Sequence, residues 1–214
     1  CVLDGPCPGC ILCSDESEIE SQTATGRAHF EVLADGVPNQ PTTLVLPEDT
    51  NGVLNIGVNP HVFPVMSSES GVFVAATRLG QGRVVAFSGQ DFLSSSLRST
   101  LLGEPGVRRL VLNAVDWVSD GLPREQVRVL AANGVVGDIL SEGGLRHIDV
   151  ARVRFVQGLE SIRDWDAQAL SEVDVAIVQI NEWGTSHVTD VDVRHIRRFV
   201  ENGGGLLIAG SALH

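Results

Sequence analysis

Short apolar runs broken by turn residues fill the first half of the chain. Residues 29–33, 43–46, 53–58, 62–66, 72–77 and 83–88 are rich in Val, Leu, Phe and Thr, and Gly, Pro, Asn and Asp stand between them. Runs of that length and composition predict strands. Leu79-Gly80-Gln81-Gly82 joins the last two as a hairpin, since glycine supplies the positive φ that tight turns require. Antiparallel pairing is therefore expected in this half.

The period then changes. Val107, Leu110, Val111, Ala114, Val115 and Val118 recur at helical spacing, and Ser119-Asp120-Gly121 ends the stripe. Beyond it the chain alternates. Residues 127–131 read as a strand, 135–141 as a short helix, 152–156 as a strand, 166–171 as a helical turn and 173–180 as a strand. Thr189 opens a helix as its cap, with Asp192 three residues on and Val193, Ile196 and Val200 along one face. Gly203 to Gly205 stop that helix, and 206–209 form another strand. Because 173–180 is almost continuously apolar, it suits a strand covered on both faces. The expected fold is thus α/β, a doubly wound, mostly parallel sheet with an antiparallel, strand-rich first half. The chain stops at His214, just past a core strand, so a domain cut short is expected.

Composition changes this picture little. The 214 residues carry 43% hydrophobic and 20% charged side chains, as an ordinary globular domain does. A net charge of −12 argues against nucleic-acid or anionic-membrane binding, which need clustered positive charge. No stretch reaches the ~20 apolar residues that cross a bilayer. Every basic residue is Arg and Tyr is absent, the mark of a GC-rich genome.

All four cysteines, Cys1, Cys7, Cys10 and Cys13, lie at the start, followed by the acidic Asp15, Glu16, Glu18 and Glu20. Residues 1–25 therefore read as a tail and linker ahead of a body at 26–214. The cysteine spacing leaves disulfides, a metal site or no structural role open: disulfides suit an exported chain, and thiolates two apart can turn onto one metal. A chain beginning with Cys1 also fits a mature bacterial lipoprotein, whose first cysteine carries the lipid.

Phe63-Pro64-Val65-Met66, Gly80-Gln81-Gly82-Arg83-Val84-Val85, Ser88-Gly89-Gln90-Asp91-Phe92-Leu93, Leu112-Asn113-Ala114-Val115-Asp116-Trp117 and the segment from Phe199 to Gly210 stand in this order. In order and spacing they resemble the amino-terminal region of the TRP-channel-associated factors and of their relatives, the enhancin-like, mucin-degrading metallopeptidases. The resemblance covers about residues 29–214. It implies a flavodoxin-like fold similar to class I glutamine amidotransferases, placed ahead of a zinc peptidase domain. That peptidase chemistry uses H-E-x-x-H, and no His of this sequence is followed by Glu.

The amidotransferase nucleophile is a cysteine, and none follows Cys13. Ser211, after the strand at 206–209, is the nearest elbow-like serine, but Leu213 stands where a nucleophile elbow needs a small residue. Ser88 reads as the start of a Ser-x-x-Asp capping box. His187 and His195, eight apart, read as surface histidines. Gly203 to Gly205 follow a helix, the reverse of a phosphate loop, and no nucleotide fingerprint occurs, so no cofactor is expected. Ligands of such sheets bind at the carboxyl ends of the parallel strands. The candidates there are Asn133, then Asn181, Glu182, Trp183 and His187, and finally Ser211. The expected function is a non-catalytic accessory domain of a secreted or lipid-anchored protein, contacting a downstream domain of its own polypeptide and a glycoprotein. The alternative is a stand-alone amidotransferase-like hydrolase using Ser211 or Ser88 with a nearby His.

Overall fold

The computed structural model of the protein describes residues 32–33, 54–55, 61–68, 71–89, 92–93, 105–123, 126–131, 149–153, 167–180 and 190–210. Among them are strands β1 (Val62–Ser68), β2 (Gly71–Leu79), β3 (Gly82–Phe87), β4 (Arg128–Ala131), β5 (Asp149–Val153), β6 (Val175–Ile180) and β7 (Gly205–Gly210). The helices are α1 (Pro105–Val118), α2 (Ala167–Ser171) and α3 (Asp190–Glu201). Seven strands form one sheet in the order β1-β2-β3-β7-β6-β4-β5. β1, β2 and β3 pair antiparallel, and every pairing from β3 to β5 is parallel.

The connections explain the layering. β3 to β4 runs one way along the sheet through α1, and β6 to β7 runs back through α3. Right-handed crossovers in opposite directions put those helices on opposite faces. Side-chain alternation agrees. Val85, Phe87, Val175, Ile177, Leu207 and Ala209 pack with Leu110, Val111, Ala114 and Val115 of α1. The intervening Ala176, Val178 and Leu206 pack with Ile196 and Val200 of α3 and Leu170 of α2. The protein is a mixed α/β fold with a helical layer on each side of its sheet.

Four expectations need correction. Val32 and Leu33, placed in a strand by their apolar run, are helical, and the Leu33 carbonyl accepts a hydrogen bond from Asn113 Nδ2 of α1 at 2.9 Å. A contact between residues 80 positions apart overrides local propensity there. β5 lies at 149–153 instead of 152–156. Val193 is half exposed, and the inward face of α3 is Asp192, Ile196 and Val200, at i, i+4 and i+8. Ser88 forms no capping box, because its hydroxyl has no hydrogen-bond partner. Of the run at 53–58, Leu54 makes an isolated antiparallel bridge to Val72. The strand expected at 43–46 and the helix at 135–141 lie outside the described residues.

At the amino ends of the parallel strands, Arg128 and Asp174 tie β4 to β6. Asp174 accepts Arg128 N at 2.9 Å and its Nε and Nη2 at 3.1 Å each, while its own amide donates to the Arg128 carbonyl at 2.9 Å. Partial burial would raise the Asp174 carboxyl, but the hydrogen bonds and charge of Arg128 outweigh it and hold it below its ordinary value. A carboxyl lowered by folding contributes stability above its unfolded pKa of about 4, and that contribution is lost as pH falls through the lower folded value. Asp174→Asn is therefore expected to cost about 1 kcal/mol or less at neutral pH. The gap from wild type should close in urea titrations below about pH 4.

Candidate functional site: the carboxyl edge of the parallel sheet

β3, β7, β6 and β4 are neighbours and parallel, so Phe87, Gly210, Ile180 and Ala131 end side by side at one edge. At roughly 4.8 Å per strand, the ends of β7, β6 and β4 span about 10 Å, the scale of one small ligand. The predicted binding residues follow these ends: Asn133 after β4, Asn181, Glu182, Trp183 and His187 after β6, and Ser211 after β7. All six lie outside the described residues, as do Cys1, Cys7, Cys10 and Cys13. What the sheet establishes is that three separate stretches of sequence leave it from adjacent strands. Among the described residues no group of three or more His, Cys, Asp or Glu is placed to hold a metal ion.

Ser88 sits at this edge, immediately after β3, and is 3% exposed. Its amide donates to the Phe73 carbonyl at 2.8 Å, extending the β2–β3 ladder. A capping box needs the serine oxygen to accept a backbone N–H three residues on, and here that oxygen is unmatched. Phe92 N instead donates to Gly89 O at 3.3 Å. Among the described residues no imidazole or carboxylate engages the hydroxyl.

The opposite, amino edge holds most of the sequence signature, and there the residues act in packing. The turn Gly80-Gln81 joins β2 to β3 with positive φ at Gly80 (62°), the pattern of a type II′ turn. It lies against the end of α3, with Gln81 N donating to Glu201 O at 3.0 Å. Gly203 (φ 109°) and Gly204 close α3, Gly204 N donating to Phe199 O at 3.0 Å, which is a helix C-cap as expected.

Arg83 adds a contact that sequence reasoning missed. Its Nη1 donates to the Trp117 carbonyl at 2.7 Å, its Nη2 pairs with Asp120, and its guanidinium lies 5.3 Å from the Trp117 ring centre. Phe63 meets the same ring edge-on at 5.9 Å. Burial lowers the Arg83 pKa and the charge of Asp120 counters it. Asp120 takes φ 56°, and Asp is among the few residues that tolerate that region. The run Ser119-Asp120-Gly121 signalled a helix end but not its arginine.

A mostly parallel α/β sheet with an antiparallel edge is the class of fold these strands define. No family model matches the chain. By sequence it is homologous to TRPM8 channel-associated factors: it is 29% identical over 191 residues to factor 2 of Bos taurus and 30% over 190 residues to factor 1 of the same species. Factor 3 of Rattus norvegicus is 27% identical over 190 residues. These alignments take in 88–89% of this chain but 17% of each relative, so the chain spans about a sixth of their length. By structure it is similar to IMPa from Pseudomonas aeruginosa, solved in complex with an O-glycopeptide, at a TM-score of 0.65 and 15% identity. A second structure, the IMPa metallopeptidase in complex with T-antigen, gives 0.62 and 14%. Each match covers 91% of this chain and 20% of IMPa, and at that identity the likeness is one of fold. No described helix is long and apolar enough to cross a membrane.

Proposed function

We propose that residues 26–214 are a non-catalytic accessory module, with the flavodoxin-like fold of class I glutamine amidotransferases, belonging to a larger enhancin-like zinc metallopeptidase that acts on glycoproteins. In this reading residues 1–25 are a tail ahead of the module. The parent is secreted or lipid-anchored through Cys1, and the module contacts the peptidase domain and the glycoprotein. The supporting observation is the asymmetry of the matches: nine-tenths of this chain aligns with a fifth of a metallopeptidase. This sequence itself contains no H-E-x-x-H. The complex of IMPa with an O-glycopeptide motivates the glycoprotein assignment. The residues that would make the contact are Asn133, Asn181, Glu182, Trp183, His187 and Ser211.

The test begins with the native gene beyond the codon for His214, where an H-E-x-x-H segment is expected. In the parent protein, deleting the module should leave kcat on a short glycopeptide within about twofold and raise KM for intact glycoprotein about tenfold, a loss of binding without loss of chemistry. Amide or peptide hydrolysis by the 214-residue chain alone, abolished by Ser211→Ala, would overturn the proposal in favour of the serine hydrolase.

A further inference from the structure

The outer face of α3 carries a basic ridge. Asp192, Ile196 and Val200 turn inward, so Arg194 and Arg198, one turn apart, stand on the far side with Val191 a turn ahead of them, at i, i+3 and i+7. All three are exposed, Val191 at 48%. Among the described residues no acid pairs with Arg194 or Arg198, whereas Arg83, Arg128 and Arg197 each hold one. Arg198 lies in the last turn, where a cation suits the helix dipole. Arg194 has no such reason to be there, and like charges four apart on a helix repel.

The same chain offers the complement. Asp15, Glu16, Glu18 and Glu20 crowd together with Ile19 among them, and no basic residue occurs before Arg27. With Asp4 these acids hold −5 of the net −12 and leave −7 on residues 26–214. The body as a whole therefore repels such a segment, and two arginines without an acid draw it. Reach is sufficient. Glu20 precedes Val32, the first described residue, by 12 residues, which is about 40 Å of chain. Leu33 packs with α1 on the other face of the sheet, and a sheet with a helix on each side is roughly 30 Å thick. A tethered segment also meets the ridge at an effective concentration on the order of millimolar, ahead of any dilute acidic partner.

We propose that residues 15–20 dock on the outer face of α3, their carboxylates pairing with Arg194 and Arg198 and Ile19 covering Val191. The docked segment turns the α3 side of the body towards whatever precedes it, and another acidic partner reaches α3 only by displacing it.

A nitroxide on Cys13, two residues before Asp15, tests this by amide NMR in the full 214-residue chain with Cys1, Cys7 and Cys10 replaced by Ser. In low salt the label is expected to broaden the amides of residues 191–198. About 1 M salt, which screens charges beyond roughly 3 Å, should remove the effect. Arg194→Gln with Arg198→Gln should weaken it about fivefold, the loss of two exposed ion pairs, at an unchanged thermal midpoint. Arg78→Gln, at an exposed arginine of β2, should leave it as it was. Neutralising the segment with Asp15→Asn, Glu16→Gln, Glu18→Gln and Glu20→Gln should abolish it. Absence of broadening on α3 overturns the docking, as does broadening that survives the double arginine variant or high salt. So does broadening of an isotope-labelled chain by the nitroxide of a second chain mixed with it, which would place the segment on another copy.

Discussion

Gly82→Ala is expected to lower the stability of this protein by roughly 3 kcal/mol or more, enough to remove a large part of the margin of an ordinary domain. A Cβ on Gly82 would stand 2.1 Å from the carbonyl oxygen of Val200 and 2.3 Å from that of Gly204. Both are backbone atoms, so no rotamer change relieves the contact. The strand start, the end of α3 and the entry to β7 would have to separate, breaking the hydrogen bond from Gly204 N to Phe199 O that closes α3. Gly121→Ala is the control. Gly121 takes φ 75° with nothing within 4 Å of a new Cβ, so it should cost only the ~1 kcal/mol of a left-handed alanine. Urea denaturation of the two variants separates close packing from backbone strain. Equal losses would show that the backbone around Gly82 yields for no more than the ~1 kcal/mol of the control.

The elements whose period survives from sequence to structure were legible in the chain, and those made by distant contacts were not. α1 follows from apolar residues at three- and four-residue spacing, and Leu110, Val111, Ala114, Val115 and Val118 are all buried. β6 and β7 follow from runs apolar on both faces, and both are covered on both faces. The shift of β5 has a local cause: 149–153 and 152–156 alternate about equally well, so pattern alone does not choose between them. Arg83 meets the Trp117 carbonyl across 34 positions and Asp120 across 37, a pairing that exists only once β3 and α1 have packed. For the site, the split of the sheet into an antiparallel and a parallel part was legible, but the strand order was not, because it depends on which distant strands pair. The unmatched hydroxyl of Ser88 was not, because a serine near an acid reads equally well as a cap until the hydrogen bonds are assigned.

Phe87→Ala is expected to cost about 3–5 kcal/mol, the range for removing a fully buried aromatic side chain. Phe87 is 1% exposed, sits at the end of β3 beneath α1, and lies 5.5 Å from the ring of Phe92 at an interplanar angle of 35°. Its loss would leave a cavity bounded by strand and helix that cannot collapse without moving α1 off the sheet. Phe92→Ala should cost a similar amount. The double variant should cost less than the sum by about 0.5–1.5 kcal/mol, because the first deletion already removes the ring contact. Urea midpoints of the four proteins measure this, and additivity would mean that the rings do not support each other. The result bears on the sequence signature itself. Phe92 and Leu93 end the motif that Ser88 begins, and both are fully buried. A coupling at the expected size would assign that half of the motif to holding the edge of β3 in place. Ser88 would then be left as the residue there whose hydroxyl the fold does not use.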